Sequence, residues 1–96
     1  MADETYEGWS NRETWAVALM INNNQGLYHA TNGMARTAED STALADAIET
    51  MFDEMHDDVL NGTANVETRR IILSVGSLGR VDWHEVAADI REAATA

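Results

Sequence analysis

Cysteine, proline and lysine are all absent from this chain of 96 residues. Without cysteine there is no disulfide framework, no zinc–thiolate centre and no cysteine nucleophile. With Pro 0 and Gly 6, the punctuation of a turn-rich all-β chain, a linker or a collagen-like repeat is missing. No apolar run approaches the ~18 residues that a membrane-spanning helix needs. The start Met1-Ala2-Asp3-Glu4 is acidic where a signal peptide is basic and then apolar, so a cytoplasmic protein is expected. Basic residues are scarce as well: 6 against 17 acids, a net charge of −11. Direct binding to nucleic acid or to an anionic membrane is not expected of such a chain, because phosphate contacts need clustered Lys and Arg.

What is present describes one small domain. At this length a chain buries roughly 60–65% of the surface its unfolded form exposes, enough for a single core. Hydrophobic residues make up 45%, an ordinary share for a globular protein, so a packed core is affordable. We expect an acidic tail over 1–8 and a single domain over 9–96. The fold class is all-α, a bundle of four to five helices.

The charge is unevenly placed. Residues 1–8 hold Asp3, Glu4 and Glu7, and residues 9–38 hold Glu13 against Arg12 and Arg36. Residues 39–58 hold Glu39, Asp40, Asp46, Glu49, Asp53, Glu54, Asp57 and Asp58 with no base, a net of −8. Residues 59–96 are nearly balanced, with five acids against Arg69, Arg70, Arg80 and Arg91.

Helix signals recur along the chain. Ser10-Asn11-Arg12-Glu13 fits a capping box, with Ser10 capping the amide of Glu13 and Glu13 reaching back to Ser10. Trp15, Ala18 and Leu19 then give an inner face, Trp9 is placed to act as the hydrophobic staple, and Asn22 to Gly26 ends the helix. The segment 27–38 is ambiguous; it is assigned as helix despite Asn32-Gly33, a pair that costs about 1 kcal/mol or more in helix propensity. Asp40 to Leu60 gives the strongest helix signal, capped by Asp40 or Ser41 and stopped by Asn61-Gly62. Its apolar stripe is Leu44, Ile48, Met51, Phe52, Met55 and Val59, with Asp46, Glu49, Asp53 and Asp57 opposite. Val66 to Val75 reads as a buried helix, with Val66, Ile71, Ile72, Leu73 and Val75 inside. Its β-branched run also fits a strand, but no second strand is available to pair with it. Gly76 to Gly79 makes a turn. A last helix opens on Asp82 with Glu85 at the third position, and buries Trp83, Val86, Ala87 and Ile90.

Candidate chemistry is sparse. Asp53 and His56 form half of a carboxylate–histidine metal motif, but a full site needs a second such pair, and the chain has none. No metal site and no cofactor are expected. His29, His56 and His84 are scattered, no nucleophile elbow supports a catalytic triad, and no enzyme is expected. Gly76-Ser77-Leu78-Gly79 matches a GXXG loop in letters only, since the basic surroundings of such a loop are missing. The acidic stripe carries the most information. A solvated helix face normally mixes signs, because like charges four apart oppose a helix by a few tenths of a kcal/mol. A stripe without bases would attract a basic protein surface. The expected site is therefore Asp46, Glu49, Asp53 and Asp57, flanked by Glu39, Asp40, Glu54 and Asp58. Trp9 is a further contact candidate because it precedes the first helix.

The stretch Tyr6-Glu7-Gly8-Trp9-Ser10-Asn11-Arg12-Glu13-Thr14-Trp15, continuing into Ala18-Leu19 and Asn22-Asn23, resembles the GW-S/T-N-x-E-T-W opening of a family of small proteins. These occur in phages, plasmids, and archaeal viruses or their hosts, mostly without known function. Asp82-Trp83-His84-Glu85-Val86-Ala87 is similar to that family's closing segment. The two segments cover about a quarter of the chain, and the middle reads as a variable insert between shared ends. The resemblance implies a small helical protein in a mobile-element setting and supplies no active site. By analogy of charge and class with DNA mimics, it points to an anti-defence inhibitor, of anti-CRISPR or anti-restriction kind, acting in the host cytoplasm. Its partner would be a protein with a basic nucleic-acid-binding surface. The oligomeric state stays open. The alternative is a small structural or regulatory protein of a halophile or its virus, whose acids serve solubility in salt.

Overall fold

Five helices form, and each begins at an Asn or Asp. A computed structural model describes residues 6–95. The helices are α1 (Arg12–Asn23), α2 (Gln25–Thr37), α3 (Ser41–Asn61), α4 (Val66–Val75) and α5 (Trp83–Thr95), with a 3₁₀ turn at Leu78–Arg80 before the last. The first amides of a helix have no partner within it, and a short Asx side chain can accept from the third. Asn11 accepts from Thr14 N (2.8 Å), Asn24 from Leu27 N (2.9 Å), Asp40 from Ala43 N (2.8 Å), Asn65 from Thr68 N (2.7 Å) and Asp82 from Glu85 N (3.1 Å). The all-α bundle expected from periodicity is what forms, and the ambiguous segment 27–38 is indeed helical.

The helix stops are equally local. Gly62 sits at φ 74° after α3. Its amide bonds to Val59 O, and the Thr63 amide reaches back to Asp58 O, the Schellman pairing. A side chain at this φ would be strained, which is why Asn61-Gly62 ends the helix. Gly76 ends α4 at φ 87°, where a Cβ would meet the Arg12 guanidinium at 3.2 Å.

Helix α5 packs against α1, α2 and α3, while α4 packs on α1 and α3. The core holds Val17 and Ile21 of α1, Leu44, Ile48 and Phe52 of α3, Ile71, Ile72 and Val75 of α4, and Trp83, Val86 and Ile90 of α5. The Phe52 and Trp83 rings meet at 5.6 Å near its centre.

Three sequence expectations are corrected here. First, Asn11 caps α1, and the Ser10–Glu13 box is not made: the Ser10 amide donates to Glu85 of α5 (3.1 Å), and Glu13 faces Arg80 (3.5 Å). The inner face of α1 is Thr14, Val17, Ala18 and Ile21: of the expected face Ala18 is buried, while Trp15 and Leu19 are only half-buried. The ring against Trp15 is that of Tyr6, at 4.9 Å. Second, Asn24 closes α1 and caps α2, so Gly26 lies inside the first turn of α2 and stops nothing. Third, Val66 and Leu73 are 74% and 67% exposed; α4 buries Ile71, Ile72 and Val75, and two arginines hold its other side in water. The middle of the chain is part of the core: α3 supplies Leu44, Ile48 and Phe52, all fully buried.

Of the expected acidic tail, residues 1–5 lie outside the described residues. Tyr6 to Trp9 closes a tight turn, with paired bonds between Tyr6 and Trp9 (both 2.8 Å) and positive φ at Glu7 and Gly8, as hairpin turns of the primed kind require.

Candidate functional site

The outer face of α3 is where unspent charge collects. Asp46, Asp53, Glu54, Asp57 and Asp58 are exposed, and Glu49 is half-buried. The helix repeat places Asp46, Glu49, Asp53 and Asp57 along one line opposite Leu44, Ile48 and Phe52, with Glu54 on the flank of the helix and Asp58 nearer its apolar side. At ~1.5 Å rise per residue, the four carboxylates on the line are about 5.5 Å apart along the axis. A nucleic-acid strand carries its phosphates more closely, one per roughly 3.4 Å.

Like charges three and four apart on this face oppose the helix by a few tenths of a kcal/mol per pair, in total about 1–2 kcal/mol. Burial of Leu44, Ile48 and Phe52 on the other face contributes several kcal/mol, at about 1.5–3 each. The apolar side wins, and α3 forms despite its charge.

Two of the eight expected acids have work inside the chain. Asp40 caps α3 through Ala43 N, and Asp58 accepts from the Thr63 hydroxyl at 3.3 Å. Among the described residues, Glu39, Asp46, Glu49, Asp53, Glu54 and Asp57 make no hydrogen bond or ion pair through their carboxylates. Glu39 and Asp40 lie just before α3 and are exposed. Trp9 belongs to a different place: it is half-buried in the turn before α1 and shares no hydrogen bond or ring contact with α3. His56 is half-buried on α3, and no three potential metal ligands converge among the described residues.

Where α1 and α5 begin, polar groups behave differently. Thr14 is fully buried; its hydroxyl donates to Asn11 Oδ1 (2.8 Å) and accepts from Asp82 N (2.9 Å). Asn11 Nδ2 donates to Arg80 O (2.8 Å). Arg12 donates to Ser74 O (3.2 Å) and Val75 O (2.7 Å), satisfying the last carbonyls of α4. The opening segment Ser10–Thr14 and the closing segment Asp82–Glu85 thus clasp each other, and their polar residues are explained by the fold.

A model of a family of unknown function, DUF7249, matches residues 2–94. The chain belongs to that family. The bounds of the match enclose all five helices. No curated protein and no solved structure matches the chain.

One set of exposed residues escaped the sequence reading: Val66, Arg69, Arg70 and Leu73 on the outside of α4. Two stripes at helical spacing are available in 66–75, and the placement of Arg69 and Arg70 was the signal that 66/73 is the wet one. Among the described residues no helix is long and apolar enough to cross a membrane.

Proposed function

We propose that this protein is a non-enzymatic acidic binding protein of a mobile genetic element, an anti-defence inhibitor that covers a basic nucleic-acid-binding surface of a host protein. The α3 face carries the reading: a row of four carboxylates about 5.5 Å apart along the helix axis, with no Lys or Arg among them and no partner among the described residues. Such a row steers toward clustered Lys and Arg, and pairs with the groups that otherwise hold phosphates. Asp46, Glu49, Asp53 and Asp57 form the contact line; Glu39, Asp40, Glu54 and Asp58 extend its field. The mobile-element setting rests on the resemblance of the Tyr6–Trp15 segment. In this reading the protein works in the host cytoplasm, binds protein and not nucleic acid, and needs no cofactor.

The test uses the variant D46K/E49K/D53K/D57K. Circular dichroism should show the helices retained, since Asp46, Asp53 and Asp57 are exposed and none of the four is buried. Immobilised wild-type protein should capture a host nucleic-acid-binding protein that an added DNA or RNA oligonucleotide displaces, and the variant should capture none. Capture that survives both the charge reversal and the oligonucleotide would sink the mechanism.

The lysine-free composition supports a second reading, a small structural or regulatory protein adapted to a salty cytoplasm. It expects the chain to be unfolded in about 0.15 M KCl and to fold only in molar salt, where self-repulsion is screened. A stable helical melt in about 0.15 M KCl excludes it.

A further inference from the structure

Helix α4 has two faces. Ile71, Ile72 and Val75 turn into the core, while Val66, Arg69, Arg70 and Leu73 run outward at i, i+3, i+4 and i+7 and, with Ser74, line an open groove. Arg69 and Arg70 make no ion pair among the described residues. They stand on a chain of net charge −11, between two of its most exposed aliphatic side chains. A third, Leu60, is 71% exposed and lies on the acidic line of α3, following Asp53 and Asp57 at i, i+4, i+7.

The two outer faces are therefore complementary. The C-terminal half of α3 offers carboxylates beside a leucine. The outside of α4 offers guanidinium groups between a valine and a leucine. Arginine pairs with carboxylate through a forked, charge-assisted contact, and the aliphatic side chains on both faces gain by leaving water.

We propose that a second copy of this chain is the occupant: Asp53, Asp57 and Leu60 of one protomer dock on Val66, Arg69, Arg70 and Leu73 of the other. In a two-fold pair the contact occurs twice, because each protomer supplies both faces. The net charge of each copy does not forbid this. At about 0.15 M salt the Debye length is about 8 Å, so distant acids are screened and the local pairs decide. Asp46 and Glu49 stay outside the contact. Asp53 and Asp57 also belong to the contact line proposed above, so self-association and a host partner would compete for them, while the α4 face is used by the self-contact alone.

Sedimentation equilibrium of the full chain in about 0.15 M salt, from about 10 μM to about 1 mM, measures it directly. The average mass should climb from 10.6 kDa toward twice that value with concentration. R69E/R70E and D53R/D57R should each remain at monomer mass, because like charges then face each other at both contacts. An equimolar mixture of the two should recover association, since every contact again joins opposite charges. Circular dichroism checks that both variants are folded. Should D53R/D57R lose helicity, L73D, a change in solvent on α4, must still weaken association about tenfold or more. A wild-type mass that stays at 10.6 kDa throughout overturns the proposal. So do charge variants that associate like wild type, or a mixture of folded variants that does not recover.

Discussion

The junction of α1 with α5 and the outer face of α3 are both rich in polar side chains, yet they use them in opposite ways. At the junction Asn11, Arg12, Thr14, Asp82 and Glu85 each bond to backbone or side chain of another segment, as far as 75 residues away in the chain. On α3 the carboxylates of Asp46, Glu49, Asp53 and Asp57, the first, third and fourth exposed and Glu49 half-buried, have no partner among the described residues. A polar group that is buried must be bonded or costs a desolvation penalty, so the junction's residues are fixed by the fold. An exposed carboxylate carries no such obligation, and its energy is free to be realised on a partner.

That contrast can be broken most severely at the junction. T14V keeps the shape of a fully buried residue but removes the hydroxyl that serves Asn11 and Asp82, and N11A removes the cap and the bond to Arg80 O. Each should cost about 2 kcal/mol, a loss of roughly 8–16 °C in melting temperature. A double-mutant cycle should be non-additive by 0.5 kcal/mol or more, on the order expected of residues sharing a bond. Next, E85A frees the Ser10 amide at an exposed site and should cost only about 0.5–1 kcal/mol. If E85A proves as damaging as T14V, the clasp depends on Glu85 more than its exposure allows.

On α3 the sign reverses. D53N/D57N removes like-charge pairs and should raise stability by a few tenths of a kcal/mol, most visibly at low salt. Destabilisation measured by thermal melting would mean that these carboxylates have a structural task after all.

The smallest effect concerns Asp89 on α5, whose carboxyl is pushed above the ordinary carboxylate range by partial burial beside α1 and α2 and by the nearby charge of Glu92. A raised pKa means that the folded state prefers the protonated form. Its contribution is fully present below the unfolded value and is lost as pH rises through the folded one. D89N should therefore gain a few tenths of a kcal/mol at pH 7, the solvent-exposed side chain permitting no more, and nothing at about pH 3. Melts of D89N and wild type at the two pH values check the difference.

Much of the fold is written locally. The Asx caps, the stop at Asn61-Gly62, and the stripe Leu44-Ile48-Phe52 each depend on residues within a turn or two, so α3 and the start of α5 can be read from the sequence nearly to the residue. The acidic face is equally legible, because charge and helical period together decide what lies opposite a buried stripe. Less legible are two glutamates near helix starts, Glu13 at the second position of α1 and Glu85 at the third of α5. Glu13 and Glu85 both fit a capping box, but each found a distant partner, Arg80 and Ser10, that local spacing cannot announce. The inner face of α1 was misread for a related reason: Thr14 is polar, and only its bonds to Asn11 and Asp82 make its burial affordable. Val66 and Leu73 were misplaced because an apolar letter reports a preference for burial and says nothing about whether another element is there to cover it.

The sequence alone therefore determined an all-helical chain, the bounds of its longest helix and the concentration of its charge, since these follow from caps, periods and composition within one helix. Only the tertiary structure decided which polar residues are spent in closing the ends of the chain on each other, and which side of α4 stays in water, because both depend on surfaces brought together from far apart.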